Sequence, residues 1–218
     1  MPTRFLLFLI ALLKMIACGT GVDAGLIVSV GDIQLDSSGS GQVEVFADND
    51  GLTPPVSIAS FALQLRIEPL SGNSTLRFLD DGQASAARTS RADHLFAGTT
   101  AVLFSADAFD AGRQFGIIDS VGIFDPAASV IRPSLLGVAS VQLSAGTAGP
   151  SNDRFRVSVD GVDSLFFDEQ FQLIDSNQIT LEAGTVSVST NVVPEPACTT
   201  FLFLMAALSS FLRRQARY

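Results

Sequence analysis

The chain has 218 residues, enough for one domain of ordinary size with short appendages, and its 22 acidic against 13 basic residues give a net charge of −9. Nucleic-acid affinity comes mainly from Lys and Arg neutralising phosphates, so this balance excludes DNA and RNA as partners. Hydrophobic residues are 47% of the chain, sufficient for a core, but part of that content is concentrated at the two termini.

Residues 1–24 carry Arg4, an apolar run from Phe5 to Leu13, Lys14, and then Val22-Asp23-Ala24, small or short residues of the kind a signal peptidase accepts. This pattern predicts a signal peptide and an exported protein. The run is too short to cross roughly 30 Å of hydrocarbon, which takes about 20 helical residues. Met15-Ile16-Ala17-Cys18 offers an alternative lipoprotein box with Cys18 acylated, but Lys14 and Met15 fit such a box poorly. Cys18 is therefore read as discarded with the signal. The other cysteine, Cys198, lies in the C-terminal apolar segment, so the domain between has no disulfide and no cysteine-ligated metal. That domain, residues 25–191, holds 20 acidic residues against 8 Arg and no Lys, a net charge of −12. A solvated surface accounts for the acidity, with calcium-dependent adhesion or matrix association as the alternative.

Between the ends, short apolar runs alternate with Gly, Asp, Asn and Ser clusters, which predicts an all-β, antiparallel β-sandwich. The predicted strands are 26–30, 42–47, 58–67, 76–79, 101–105, 115–118, 135–143, 154–159, 178–181 and 185–188. In the third, Phe61, Leu63, Leu65 and Ile67 alternate with smaller or polar residues, and a period of two places all four on one buried face. The same rule sends Phe155, Val157 and Val159 inward and Arg154 and Arg156 outward. Residues 85–96 break the pattern with Ala and Arg in quantity between Gly82 and Gly98, and predict one short helix.

Few residues suggest chemistry. No nucleophile elbow, His-Glu-x-x-His pair or phosphate-cradling loop occurs. The single histidine, His94, reads as a surface or helix-end residue. Asp80-Asp81 and Asp168-Glu169 could serve glycoside hydrolysis, and so a polysaccharide-cleaving domain, if folding brought two of them into apposition, but adjacent acids on a strand point to opposite faces, so each pair reads as a solvated turn. Catalytic residues and an organic cofactor are accordingly not expected. Asp48-Asn49-Asp50-Gly51, followed by Asp160-Gly161-Val162-Asp163, is the best candidate for a ligand, because oxygen-rich loops closed by Gly can hold Ca²⁺. EF-hand spacing is not met, and Asp, Asn and Gly also build turns for conformational reasons, which is the preferred reading. The domain has neither Trp nor Tyr, the rings on which sugar-binding sandwiches commonly stack pyranoses, so its many Phe residues read as core.

Residues 192–218 comprise Pro194-Glu195-Pro196, then the 16 uncharged residues 197–212, then Arg213, Arg214 and Arg217. The prolines exclude regular pairing and present an extended peptide. The uncharged stretch is a short apolar transmembrane helix, lengthened by snorkelling Arg, and the Arg cluster holds the C-terminus on the cytoplasmic side. This order resembles the PEP-CTERM sorting signal of bacteria that use exosortases. The resemblance implies that Pro194, Glu195 and Pro196 are recognised by a membrane-embedded, exosortase-like processing enzyme. Its proteins often accompany exopolysaccharide production. It also implies an inner-membrane-anchored precursor that later reaches the envelope surface or is secreted.

Within the domain, Val28-Ser29-Val30-Gly31-Asp32 before the strand 42–47, the long strand ending in Ile67-Glu68-Pro69, and Leu136-Gly137-Val138-Ala139-Ser140-Val141 before the closing strand 185–188 resemble a cohesin-like or carbohydrate-binding-module-like β-sandwich. Cohesin-like domains usually end the second of these strands with Tyr-Asp-Pro. The resemblance implies a jelly-roll sandwich and a non-enzymatic module with a protein partner, or alternatively an exopolysaccharide partner. The expected domains are thus a signal peptide (1–24), the exported sandwich (25–191) and a sorting and membrane-anchor segment (192–218).

Overall fold

Alternating apolar and polar side chains convert most of the domain into strands, because a period of two lets each strand bury one face and solvate the other. The computed structural model describes residues 25–51, 55–122, 124–144 and 153–188. The signal segment, both cysteines, the 194–196 motif and Arg213, Arg214 and Arg217 lie outside the described residues.

In chain order the strands are β1 (Leu26–Val30), β2 (Ile33–Leu35), β3 (Ser40–Asn49), β4 (Val56–Ile58), β5 (Ser60–Ser71) and β6 (Leu76–Leu79). A helix, α1 (Gln83–Ser90), precedes β7 (Ala101–Phe109), β8 (Gln114–Val121), β9 (Ala128–Val130) and β10 (Ser134–Leu143). The chain then forms β11 (Arg154–Val159), β12 (Leu165–Phe167), β13 (Ile179–Glu182) and β14 (Gly184–Val188). One sheet has the order β13-β1-β3-β10-β6, and the second β2-β14-β11-β5-β8-β7 with β12 also on β5. β4 and β9 form a separate ribbon. Phe61, Leu65, Ile117 and Phe155 of the second sheet and Val28, Val43, Val45 and Val141 of the first belong to one buried core.

The chain ends tie the two sheets together. β1 lies in the first sheet and β2 in the second, with Gly31 and Asp32 between them; β13 and β14 divide in the same way at Ala183. A Cβ on Gly184 would stand 2.5 Å from the Gly31 carbonyl oxygen and 2.6 Å from that of Val30. Only glycine allows the backbones to come this close. Thr185 N then donates to Asp32 Oδ1 at 2.6 Å.

Several expectations are corrected. The sandwich is not antiparallel throughout: β1 pairs with β13, and β2 with β14, in parallel. This follows from the shared crossover, where the first and last segments change sheets side by side. The strand expected over 58–67 is broken at Ala59, whose N–H bonds Phe167 O and whose carbonyl accepts from Val121 N. Ile58 consequently belongs to the β4–β9 ribbon. The helix expected over 85–96 covers only Gln83–Ser90. Asp81 Oδ1 accepts from Gln83 N at its start, while the Thr89 and Ser90 hydroxyls bond back to carbonyls one turn earlier and accompany its end. α1 packs against β10 of the first sheet and β7 of the second: Ala87 meets Leu135, Val138 and Phe46, while Ala84 joins the main core. Not all Phe is core: Phe109, Phe124 and Phe171 are exposed.

Gly184→Ala should destabilise the fold by about 1–3 kcal/mol or more, since the obstacles are the backbone oxygens of Val30 and Gly31, which cannot swing away. The midpoint of urea unfolding measures it, and a midpoint equal to wild type would show that the crossover is not tight.

Candidate functional site

Two outer faces flank the core, and they differ. The first sheet's face meets α1 through Ala87, against Leu135, Val138 and Phe46. The second sheet's face carries no helix, and the alternation that buries Phe61, Leu63 and Leu65 sends Ser60, Ala62, Gln64 and Arg66 out onto it. Register builds rows across the strands: Ser105, Ile118, Ala62 and Leu165 lie side by side, flanked by the row Leu103, Ser120, Ser60 and Phe167. Toward the other end, Phe109 lies opposite Gln114, and Gln114 opposite Arg66. Leu103 is 52% exposed, Phe109 41%, Leu165 40% and Ile118 38%. Fixed polar groups border them: Arg66 Nη2 lies 2.7 Å from Asp160 Oδ2, and Gln64 Nε2 donates to Gln114 Oε1 at 3.0 Å. β7 closes this face as an edge strand. A flat, mixed face of this kind can bury apolar side chains against another macromolecule while its polar border sets orientation.

Asp119 is the group the sequence reading missed. It sits on β8 between the inward residues Ile117 and Val121 and is fully buried. Arg88 of α1, also buried, brings Nε to 2.7 Å from Asp119 Oδ2. Its Nη1 donates to Phe96 O at 2.7 Å and its Nη2 to Thr99 Oγ1 at 3.1 Å. His94, expected at the surface, is only 3% exposed. Its Nδ1 accepts from Phe96 N, which leaves the proton on Nε2, 3.8 Å from Asp119 Oδ2. The correction has a physical cause: α1 brings Arg88, and the segment after it folds inward to bring His94, to a carboxylate that cannot stay alone in a core. Burial, helped by the Arg88 charge, lowers His94 to a pKa of about 4. Burial raises Asp119 to about 6 against the pull of Arg88. The three groups are closed to a substrate, and their arrangement holds the 83–99 segment to the sandwich. An Asp at an inward position of an alternating strand was the available signal.

The candidate ligand loop at 48–51 ends β3, and its side chains bond to the backbone. Asp48 and Asn49 are the last residues of β3, opposite Ile27 and Leu26. Asp48 Oδ1 accepts from Asn49 N, Asn49 Oδ1 from Gly51 N, and Asp50 Oδ2 from Gly25 N, so these oxygens serve the backbone. Asp160 pairs with Arg66 and accepts from Val162 N, and Asp168 Oδ1 accepts from Gln170 N and Gln172 N. Asp80 and Asp81 are exposed. Among the described residues no group of three or more His, Cys, Asp or Glu could hold a metal ion. At one end of the sandwich an apolar cleft of about 360 Å³ is lined by Val162, Ser164, Leu165, Leu173, Ile174 and Ile179. Its loop residues lie outside any predicted strand, and no periodicity announced them.

No protein-family model and no curated protein matches this chain. Solved structures of similar outline are cohesin domains. A non-cellulosomal cohesin from the hyperthermophilic archaeon Archaeoglobus fulgidus has 14% identity over 79% of this chain and 96% of its own, with a TM-score of 0.49. The type I cohesin–dockerin complex Coh-OlpC-Doc435 from Clostridium thermocellum matches with 14% identity, 77% and 95% coverage and a TM-score of 0.45. A cohesin from Clostridium acetobutylicum matches with 13% identity, 78% and 94% coverage and a TM-score of 0.43. The likeness is one of outline, and no partner or activity is taken from it.

The buried cluster yields a pH test. His94, lowered from 6.5 to about 4, contributes stability that is complete above pH 6.5 and lost as pH falls through 4. Asp119, raised from 3.8 to about 6, contributes stability that is complete below pH 3.8 and lost as pH rises through 6. The two slopes oppose each other in one window. Asp119→Asn leaves only the histidine slope, so its urea-unfolding free energy should fall relative to wild type by on the order of 3 kcal/mol from pH 6.5 to 4. His94→Gln should show the opposite sign; equal slopes in all three proteins would refute the assignment.

Proposed function

We propose that this chain is an exported, non-enzymatic interaction protein of the cell envelope or extracellular matrix, whose sandwich binds a protein partner through the outer face of β11, β5, β8 and β7. The observation that carries the reading is the group of Leu103, Ile118 and Leu165, in two adjacent cross-strand rows, left exposed on the outer face of the second sheet. Apolar side chains so placed gain free energy when another surface removes them from water. The acidic charge fits an exported, soluble display, and the lack of Trp and Tyr weighs against a pyranose-stacking site.

Delivery belongs to the same proposal. Signal peptidase removes residues 1–24, the 197–212 segment holds an inner-membrane precursor, and an exosortase-like enzyme recognises Pro194, Glu195 and Pro196 before display or release. Arg213, Arg214 and Arg217 halt translocation by charge.

Two experiments test these parts. Ile118→Glu on the exported protein should abolish capture of envelope protein partners by wild type while leaving its melting temperature within a few degrees. Affinity electrophoresis in the producer's own exopolysaccharide should leave the protein unretarded; retardation that Ile118→Glu does not change would move the function to glycan binding.

For the tail, replacing Pro194, Glu195 and Pro196 by Ala should leave a full-length, membrane-retained precursor. Changing the three Arg to Glu should instead let the tail slip through the membrane or mislocalise, as fractionation and mass measurement report. An alanine triple variant that matures like wild type would reduce 197–212 to a plain tail anchor.

A further inference from the structure

The start of the described fold coincides with a carboxylate. Gly25 N donates to Asp50 Oδ2 at 3.2 Å in a part-buried site, and Asp50 N donates back to Gly25 O at 3.2 Å. The next residue, Leu26, is fully buried and lies between Asn49 of β3 and Ile179 of β13. A Cβ on residue 25 would stand 3.0 Å from Asp50 Oδ2, so glycine is what lets the carboxylate approach the backbone nitrogen. The sequence places the signal-peptidase bond at Ala24-Gly25, immediately before this nitrogen.

We infer that Asp50 is the receptor for the α-ammonium of the mature chain, and that signal cleavage turns a neutral backbone hydrogen bond into an ion pair at the head of β1. The inference rests on the proposed removal of residues 1–24. Hydrolysis of the Ala24–Gly25 amide consumes one water, leaves a carboxylate on Ala24 and leaves an amine on Gly25 that takes up a proton. In the precursor the Gly25 nitrogen is an amide with one N–H and no charge. In the mature protein the same atom carries a positive charge and three N–H groups, a charge-assisted donor to the carboxylate it already faces. A domain with 20 acidic residues and 8 Arg accommodates that added cation readily. Processing thereby strengthens the attachment of the strand that sits between β3 and β13.

The chain itself supplies a selective probe. Its only lysine is Lys14, within the segment removed, so the α-amine of Gly25 is the single primary amine of the mature polypeptide. The full chain is expressed in an exporting host, and the product is acetylated with an N-hydroxysuccinimide ester at pH 8, native or in denaturing urea, with mass spectrometry of the N-terminal peptide. Only the unprotonated amine reacts, and a carboxylate at hydrogen-bond distance holds the proton on. The native protein should therefore react about 3- to 10-fold more slowly than the denatured one. Asp50→Asn, which keeps the shape and removes the charge, should restore most of the rate in the native state. A native Asp50→Asn as slow as wild type would make burial the cause and overturn the inference. Equal rates for native and denatured wild type would overturn it without needing the variant to fold. A first residue other than Gly25 would refute the cleavage reading beneath it, an outcome that the mass distinguishes from a failed capture at a Gly25 terminus.

Discussion

The close passage of Gly184 beneath the carbonyls of Val30 and Gly31 is the constraint on which the two-sheet arrangement depends. At this place the first and last segments of the sandwich leave one sheet and enter the other together. β1 passes to β2 through Gly31 and Asp32, and β13 to β14 through Ala183, so the two crossings lie side by side and each holds one strand in either sheet. The parallel pairings are their by-product, as is the bond from Thr185 N to Asp32 Oδ1, which satisfies a backbone donor where the ladder is interrupted. A side chain here would force the backbones apart and with them the inner faces that enclose Val28, Val186 and Leu35.

The second organising feature is electrostatic. A carboxylate removed from water is costly, and Asp119 is tolerated because Arg88 reaches it from α1, which packs against both β10 and β7. Replacing the whole set by apolar residues would not carry the same information. The ion pair, the bonds from Arg88 to Phe96 O and Thr99 Oγ1, and the exposed bridge from Arg91 to Glu44 fix where the 83–99 segment lies.

Much of this was legible in the sequence. The inward set Phe61, Leu63, Leu65 and Ile67 and the set Phe155, Val157 and Val159 came directly from period-two alternation, because burial on one face is what that alternation encodes. β2, β4, β9 and β12 were not legible: three residues are too few to display a period, and each owes its pairing to a partner distant in sequence. His94 was misread for a related reason. The residues before it are polar, but His94 and Arg88 turn toward a buried acid on β8, a contact with no local signature. The exposed row on the second sheet was half legible, since alternation gives the outward positions of β5 and β8, whereas their alignment with Leu103 and Leu165 comes from register.

The edge position of β7 has a consequence for how copies coexist. A nine-residue strand with free hydrogen-bonding groups along one side, and with Val102 and Leu103 exposed, is a template onto which a second copy could add strand to strand. Two details blunt it. The register shift between Ala101 and Leu103 twists the strand's beginning, and Asp107, held by the Ser105 hydroxyl at 2.6 Å, puts a carboxylate where an antiparallel twin would have to approach. These features bias encounters between copies toward reversible contact rather than toward strand-by-strand growth into fibres.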